Sequence, residues 1–283
     1  MMNHVALPGA GSVPALGLGT WRMGESRAQR AREIAAVRSA IEMGYRLIDT
    51  AEMYGEGGAE EVVGQAVAQA LRAGGVTRDE LFVVSKVYPH NASRKGTAAA
   101  CERSRERLGL DRIDLYLLHW RGEHALADTV AAMHSLQERG QIAHWGVSNF
   151  DVDDMQELHA VANDCAVNQV YFSLGQRGPE HSLLPWLKRH KMPLMAYSPI
   201  DQGALAKHCE LAAIGAALGL TAAQLALAWV LAQPGVVAIP KAVKAEHLRD
   251  NLAAAQVTLS AEVLRQIDAL FPPPRRKTAL AMT

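Results

Sequence analysis

The chain lacks what would direct it to a membrane, a polyanion or an oxidising compartment. Lys plus Arg and Asp plus Glu number 29 each, so formal charge is zero and nothing points to nucleic acid or a charged surface. No apolar run is long enough to span a bilayer, and no secretory leader pattern opens the sequence. The three cysteines, Cys101, Cys165 and Cys209, are odd in number and lack C-x-x-C spacing. That predicts reduced thiols in a cytoplasm rather than a disulfide framework. H-E-x-x-H and Cys/His clusters are absent, so no metal is expected. Gly17-Leu18-Gly19 is too short for a dinucleotide-binding glycine fingerprint. Asn91-Ala92-Ser93 matches a glycosylation sequon but carries no weight without a secretory signal.

What is present is a well-cored composition, 49% hydrophobic and 20% charged over 283 residues. Pro8-Gly9-Ala10-Gly11 predicts a small hairpin near the start. Eight apolar strand candidates follow: residues 15–20, 47–49, 81–86, 113–119, 144–149, 166–170, 193–198 and 236–240. Helical periodicity follows each, over 28–43, 59–73, 97–108, 128–139, 152–162, 183–190, 204–218 with 221–233, and 245–255. A last helix is predicted over 261–270, capped by Ser260 and ended by Pro272-Pro273-Pro274. Continuously apolar strands alternating with helices predict an α/β fold with a parallel sheet covered on its outer face. Eight such units predict a (β/α)8 TIM barrel with an N-terminal β-hairpin and extra C-terminal helices. Residues 1–283 read as one domain, without a linker.

In such a barrel the active site lies at the C-terminal strand ends. Those ends carry Asp49, Lys86, His119, Ser148 with Asn149, Gln169, Tyr197 and Lys241, each polar or aromatic where an apolar run stops. A carboxylate at the end of a buried strand needs a partner, and Lys86 on the neighbouring strand is the natural one for Asp49. A fixed ammonium near Tyr54 is expected to lower its phenol pKa by roughly one to three units. Tyr54 then donates a proton to a carbonyl oxygen, and His119 orients the carbonyl or joins the relay. A proton donor without a nucleophile suggests hydride from a cofactor. Ser148, Asn149 and Gln169 suit a carboxamide, and Tyr197 offers a flat face for a nicotinamide. Lys241 or Lys244 is placed for a phosphate at the start of the helix carrying Asp250 and Asn251. Selectivity is expected from the βα loops and the C-terminal tail: Trp21, Tyr88 and Trp120 wall a small carbonyl substrate. Arg22, Arg121 and Arg275 either meet an anionic substrate or, as the favoured reading, are solvated.

With Asp49, Tyr54, Lys86 and His119 in this order, the chain resembles the aldo-keto reductases. The resemblance rests on Leu47-Ile48-Asp49-Thr50-Ala51 with Tyr54-Gly55, Val84-Ser85-Lys86, Leu117-Leu118-His119, Gly146-Val147-Ser148-Asn149, Asn168-Gln169 and Ile239-Pro240-Lys241. It implies Tyr54 as general acid tuned by Asp49 and Lys86, with His119 positioning the carbonyl. It also implies Ser148, Asn149 and Gln169 on the carboxamide and Tyr197 stacked on the nicotinamide. The chain looks most like small bacterial members that reduce methylglyoxal, on Thr50-Ala51-Glu52-Met53-Tyr54, Lys86-Val87-Tyr88-Pro89 and Lys277-Thr278-Ala279-Leu280. Two positions depart from the NADPH pattern: Ala242 stands where a serine is common, and His247 where an arginine clamps the 2′-phosphate. Asp250 stands where a glutamate is frequent, and Asn251 reaches toward the base. NADPH is the expected cofactor, with use of NADH open.

The tail after Phe271 is short, which favours small aldehydes or dicarbonyls. The protein is expected to be a cytoplasmic monomer with a small-molecule carbonyl substrate and no nucleic-acid or membrane partner. Two other readings stand beside the reductase. One is a nicotinamide-nucleotide-binding regulatory subunit; the other is a Schiff-base barrel lyase or isomerase using Lys86.

Overall fold

The computed structural model describes residues 3–9 and 11–282. Strands β1 (His4–Leu7) and β2 (Gly11–Pro14) pair antiparallel, with His4 opposite Pro14 and Leu7 opposite Gly11. This is the predicted hairpin; Ala10 in its turn lies outside the described residues.

Eight parallel strands follow, each paired with the next in chain order. They are β3 (Leu18–Gly19), β4 (Leu47–Asp49), β5 (Phe82–Val87), β6 (Ile113–Leu118), β7 (Ile142–Ser148), β8 (Asn168–Tyr171), β9 (Leu194–Tyr197) and β10 (Val236–Ala238). Parallel bridges Leu16–Ala238 and Gly19–Lys241 join the two edges and close the sheet into a barrel. At this seam Gly17 N donates to Ala238 O at 2.9 Å and Gly19 N to Pro240 O at 3.2 Å. A Cβ at Gly19 would lie 2.5 Å from the carbonyl oxygen of Ile239, so only glycine allows this approach. The glycines of Gly17-Leu18-Gly19 therefore serve closure.

Between the strands run α1 (Arg27–Glu42), α2 (Gly58–Ala73), α3 (Arg94–Leu108), α4 (Leu126–Glu138), α5 (Val152–Val161) and α6 (Leu183–Arg189). α7 (Cys209–Ala216) and α8 (Ala222–Leu231) precede β10, and α9 (Ala245–Ala254) and α10 (Ala261–Leu270) follow it. Side-chain caps explain several starts: Asp151 accepts from the N–H groups of Asp153 and Asp154, Thr221 from that of Gln224, and Ser260 from that of Val263. The helix predicted over 204–218 is broken. Residues Leu205–Lys207 form a short turn, His208 is extended, and its Nδ1 accepts from Leu211 N at 3.3 Å to start α7 afresh. The first and last barrel strands are shorter than expected, because their flanks pair across the seam through isolated bridges.

Strand alternation divides the core in two. Ile48, Val83 and Tyr116 face outward and pack with Val37, Ile41, Val63 and Val67 of the helices. Leu47, Val84, Leu117, Val167, Met195 and Ile239 face inward, and Leu7 and Val13 of the hairpin join that inner cluster. Two residues further along each inward row stand Asp49, Lys86, His119, Gln169, Tyr197 and Lys241. The barrel interior is thus apolar below and polar at its C-terminal mouth.

Candidate active site

Lys86 is fully buried and donates three hydrogen bonds: to Asp49 Oδ2 at 2.8 Å, Thr50 O at 2.9 Å and Tyr54 Oη at 3.1 Å. Asp49 Oδ1 accepts from Gln169 Nε2, also at 2.8 Å, so both carboxylate oxygens are satisfied. Burial pushes the Asp49 carboxyl up and the Lys86 amine down, while their attraction and the bond from Gln169 oppose those shifts. Tyr54 sits at the start of a tight turn, Tyr54–Gly57, that leads into α2.

The phenol of Tyr54 departs from expectation. Burial, and then the charge of Asp49, push it well above its ordinary value. The charge of Lys86 is offset by the carboxylate it is bonded to, so desolvation governs. Tyr54 therefore remains protonated at neutral pH, as a donor must.

His119 meets the Tyr54 ring edge-on, with centroids 5.7 Å apart. Burial and the charge of Lys86 hold its imidazole well below its ordinary pKa, so it is neutral. Its Nδ1 is buried without a partner. Beside it, Asn149 Nδ2 donates to His119 O at 3.1 Å and to Ser148 Oγ at 3.2 Å, and Ser148 Oγ donates to Gln169 O at 2.9 Å. Tyr197 Oη donates to Asn149 Oδ1 at 2.8 Å, which holds the Tyr197 ring in the wall of the site.

One cavity of about 580 Å³ connects these groups. Asp49, Tyr54, His119, Ser148, Asn149, Gln169 and Tyr197 line it at the barrel mouth, with Trp21 and Trp120 beside them. Lys241, which pairs with Gly19 at the barrel seam, and His247, Asp250 and Asn251, in the first two turns of α9, line its other end. Lys86 stands behind Tyr54 and does not line it. Tyr88 and Lys244 lie outside it too. Tyr88 donates to Glu56 Oε1 at 3.2 Å and meets the Trp120 ring edge-on, while Lys244 is the N-cap residue of α9.

Sequence reasoning favoured a solvated Arg22 and named neither Met282 nor the residues of the loop after β9 for this wall. Arg22 lines the cavity with its guanidinium 4.5 Å over the Trp21 ring, and Met282 reaches it from the tail. The loop after β9 contributes Ser198, Pro199, Ile200, Gln202 and Gly203. Ser198, Asp201 and Gln202 there have φ of 48°, 50° and 53°, and Ser173 Oγ donates to Asp201 Oδ1. Ser198-Pro199 and Gly203 were the available turn signals.

Among the described residues no group of His, Cys, Asp and Glu is placed to hold a metal ion, and no helix is long and apolar enough to cross a membrane. The donor set instead suits a nicotinamide nucleotide: amides and a hydroxyl beside an aromatic ring at one end, cationic and helix-terminal groups at the other.

A family model described as the aldo/keto reductase family matches residues 15–271. Methylglyoxal reductase YeaE of Escherichia coli (strain K12) is 49% identical over 278 residues, covering 96% of this chain and 95% of that protein. Glyoxal reductase of Bacillus subtilis (strain 168) is 38% identical over 271 residues, covering 95% and 93%. The solved aldo/keto reductase from Klebsiella pneumoniae in complex with NADP and acetate matches with a TM-score of 0.94 at 49% identity, over 100% of both chains.

Proposed function

The chain belongs to the aldo/keto reductase family, and we propose from that premise that it reduces small aldehydes and α-oxoaldehydes, methylglyoxal among them, with NADPH as cofactor and Tyr54 as general acid. The observation that carries this reading is the position of Tyr54. Its hydroxyl accepts from Lys86 at 3.1 Å while its side chain lines the cavity beside His119.

NADPH, when bound, supplies the hydride. As the carbonyl is reduced, its oxygen gains negative charge and takes the proton of Tyr54 Oη. The tyrosinate that results faces the Lys86 ammonium, whose other protons are fixed on Asp49 and Thr50. His119, neutral, orients the carbonyl oxygen through a ring N–H. Ser148, Asn149 and Gln169 hold the carboxamide, and Tyr197 presents its face to the nicotinamide. Lys241 and His247 take the phosphate end, Lys244 supports it from the N-cap of α9, and Asp250 and Asn251 meet the nucleoside. Trp21 and Trp120 wall the substrate, and Tyr88 acts on it through Trp120.

Residues 1–283 form one functional unit in this reading, a monomer of a reducing cytoplasm. Free thiols at Cys101, Cys165 and Cys209 support that compartment. Few large apolar side chains are exposed among the described residues (Val161, Leu218 and Met282), which supports the monomer. The Schiff-base alternative is not favoured, because the Lys86 ammonium is buried behind Tyr54 with three acceptors around it.

Trp21 and Trp120 line the cavity, so their fluorescence tests the reading directly. NADPH is expected to quench it saturably, and methylglyoxal then to drive loss of NADPH absorbance. Binding of neither NADPH nor NADH would remove the basis for hydride transfer.

A further inference from the structure

Behind the reaction centre, away from the cavity, a fully buried carboxylate is paired with an arginine whose side chain is 21% exposed. Glu60, in the first turn of α2, is fully buried. Its carboxylate accepts from Ser85 Oγ at 2.5 Å and from Arg107 Nε at 2.6 Å. Ser85 directly precedes Lys86 on β5, so alternation turns Ser85 outward toward Glu60 and Lys86 inward. Arg107 comes from the last turn of α3 and also reaches Ser104 Oγ at 3.4 Å.

The same arginine supports the turn of Tyr54. In Tyr54–Gly57, Gly55, Glu56 and Gly57 have φ of 58°, 51° and 90°, three left-handed residues in succession. A Cβ on Gly57 would fall 2.6 Å from both Cδ and Nε of Arg107, so the arginine stem lies against bare backbone. One ion pair therefore contacts the strand of Lys86 through Ser85 and the turn of Tyr54 through Gly57. Burying the Glu60 carboxylate carries a desolvation cost that its half-buried arginine partner only offsets, so stability alone does not account for the pair. Fixing a register between two elements does.

We propose that Glu60 and Arg107 are positioning residues that set the Tyr54–Lys86 contact on which proton transfer depends. This rests on the reading of Tyr54 as the general acid. Neither residue meets substrate or cofactor; they act through the backbone of Gly57 and the hydroxyl of Ser85, and the Glu60 charge also favours the Lys86 ammonium.

The test is Arg107→Met, with NADPH affinity read by fluorescence and turnover read with methylglyoxal. Misplacing a donor by about 1 Å costs up to about 100-fold, so kcat is expected to fall at least about 10-fold. KM for methylglyoxal and Kd for NADPH are expected to stay within about 2-fold, and the solvent deuterium isotope effect on kcat to rise as proton transfer becomes limiting. Arg107→Lys, which keeps the charge, recovers part of kcat. Unchanged kcat and isotope effect in folded Arg107→Met overturns the inference, as does a parallel loss of kcat and NADPH binding. If that variant does not fold, Arg107→Lys and the double variant Glu60→Gln/Arg107→Met, which leaves no buried charge unpaired, are judged by the same readouts. Tyr54→Phe separates the two levels. Full turnover there removes the general-acid reading, whereas loss there with retention in the Arg107 variants removes only the positioning inference.

Discussion

Lys86 Nζ stands 3.1 Å from Tyr54 Oη and 2.8 Å from Asp49 Oδ2, so the phenol faces an ammonium already balanced by a carboxylate. That arrangement keeps the phenol protonated in the resting protein, and it aims a Lys86 N–H at the oxygen that gives up the proton. Replacing Tyr54 by Phe removes the donor and is expected to lower kcat by about 10²- to 10⁴-fold, the range of general-acid catalysis. Affinity for NADPH, read by tryptophan quenching, should change little. Wild-type turnover in this variant would end the assignment.

Asp49→Asn tests the pair from its other side. It leaves a fully buried ammonium without its counter-charge, and breaking one partner of a buried pair typically costs about 3–5 kcal/mol. The urea midpoint should fall accordingly. The double variant Asp49→Asn/Lys86→Met removes both charges and should regain most of that loss while remaining inactive. A double variant no more stable than the single one would show that the pair is not the source of the effect.

The imidazole of His119 gives a pH dependence whose sign is fixed. Burial, and then Lys86, hold its folded-state pKa well below its ordinary value of 6.5. Between those values the unfolded chain binds a proton that the folded one does not, so stability is full above pH 6.5 and is lost as pH falls. The slope is at most about 1.4 kcal/mol per pH unit for this group. His144, also depressed by burial, adds a contribution of the same sign. His119→Asn should therefore flatten, without abolishing, the decline in urea midpoint from pH 6.5 to 5. A decline as steep as in the unaltered protein would rule out His119 as its source.

The barrel was legible because the apolar stretches are continuous and regularly spaced, and because polar residues end them at positions that share one face. Asp49 follows Leu47, and Lys86 follows Val84, by the two-residue step that keeps both in one inward row. The broken helix near His208 was not legible, since a histidine cap depends on where its ring lies. Nor was the loop after β9, where left-handed Ser198, Asp201 and Gln202 build the wall through backbone conformation. The direction of the Tyr54 shift required the structure, because burial and the charge of Asp49 both raise it.

His247 offers a test of cofactor preference. It lines the far end of the cavity with Lys241, at a position where the sequence led us to expect an arginine. Charge-assisted bonds from a guanidinium contribute roughly 1.5–3 kcal/mol, so His247→Arg should tighten NADPH by about 10- to 100-fold. NADH, which lacks the 2′-phosphate, should bind as before. Equal tightening of both nucleotides would place His247 away from the phosphate.

The tail makes the last prediction. Lys277 Nζ lies 2.5 Å from Asp153 Oδ2 and 3.4 Å from Asp151 Oδ2, at the start of α5. Leu280 packs against the main core, and Met282 beyond it lines the cavity. The exposed ion pair thus fixes where the tail crosses the mouth, although it adds little to global stability. Lys277→Ala should leave Tm nearly unchanged, because α10 and the barrel do not depend on it. It should raise KM for methylglyoxal modestly, since the small substrate loses part of its wall. Bulkier aryl aldehydes, excluded by a closed wall, should gain in kcat/KM. High salt should reproduce the effect in the unaltered protein, because screening weakens an exposed pair. A variant that shifts Tm strongly, or that lowers kcat/KM alike for small and large aldehydes, would show that the tail supports the fold rather than the selectivity of the mouth.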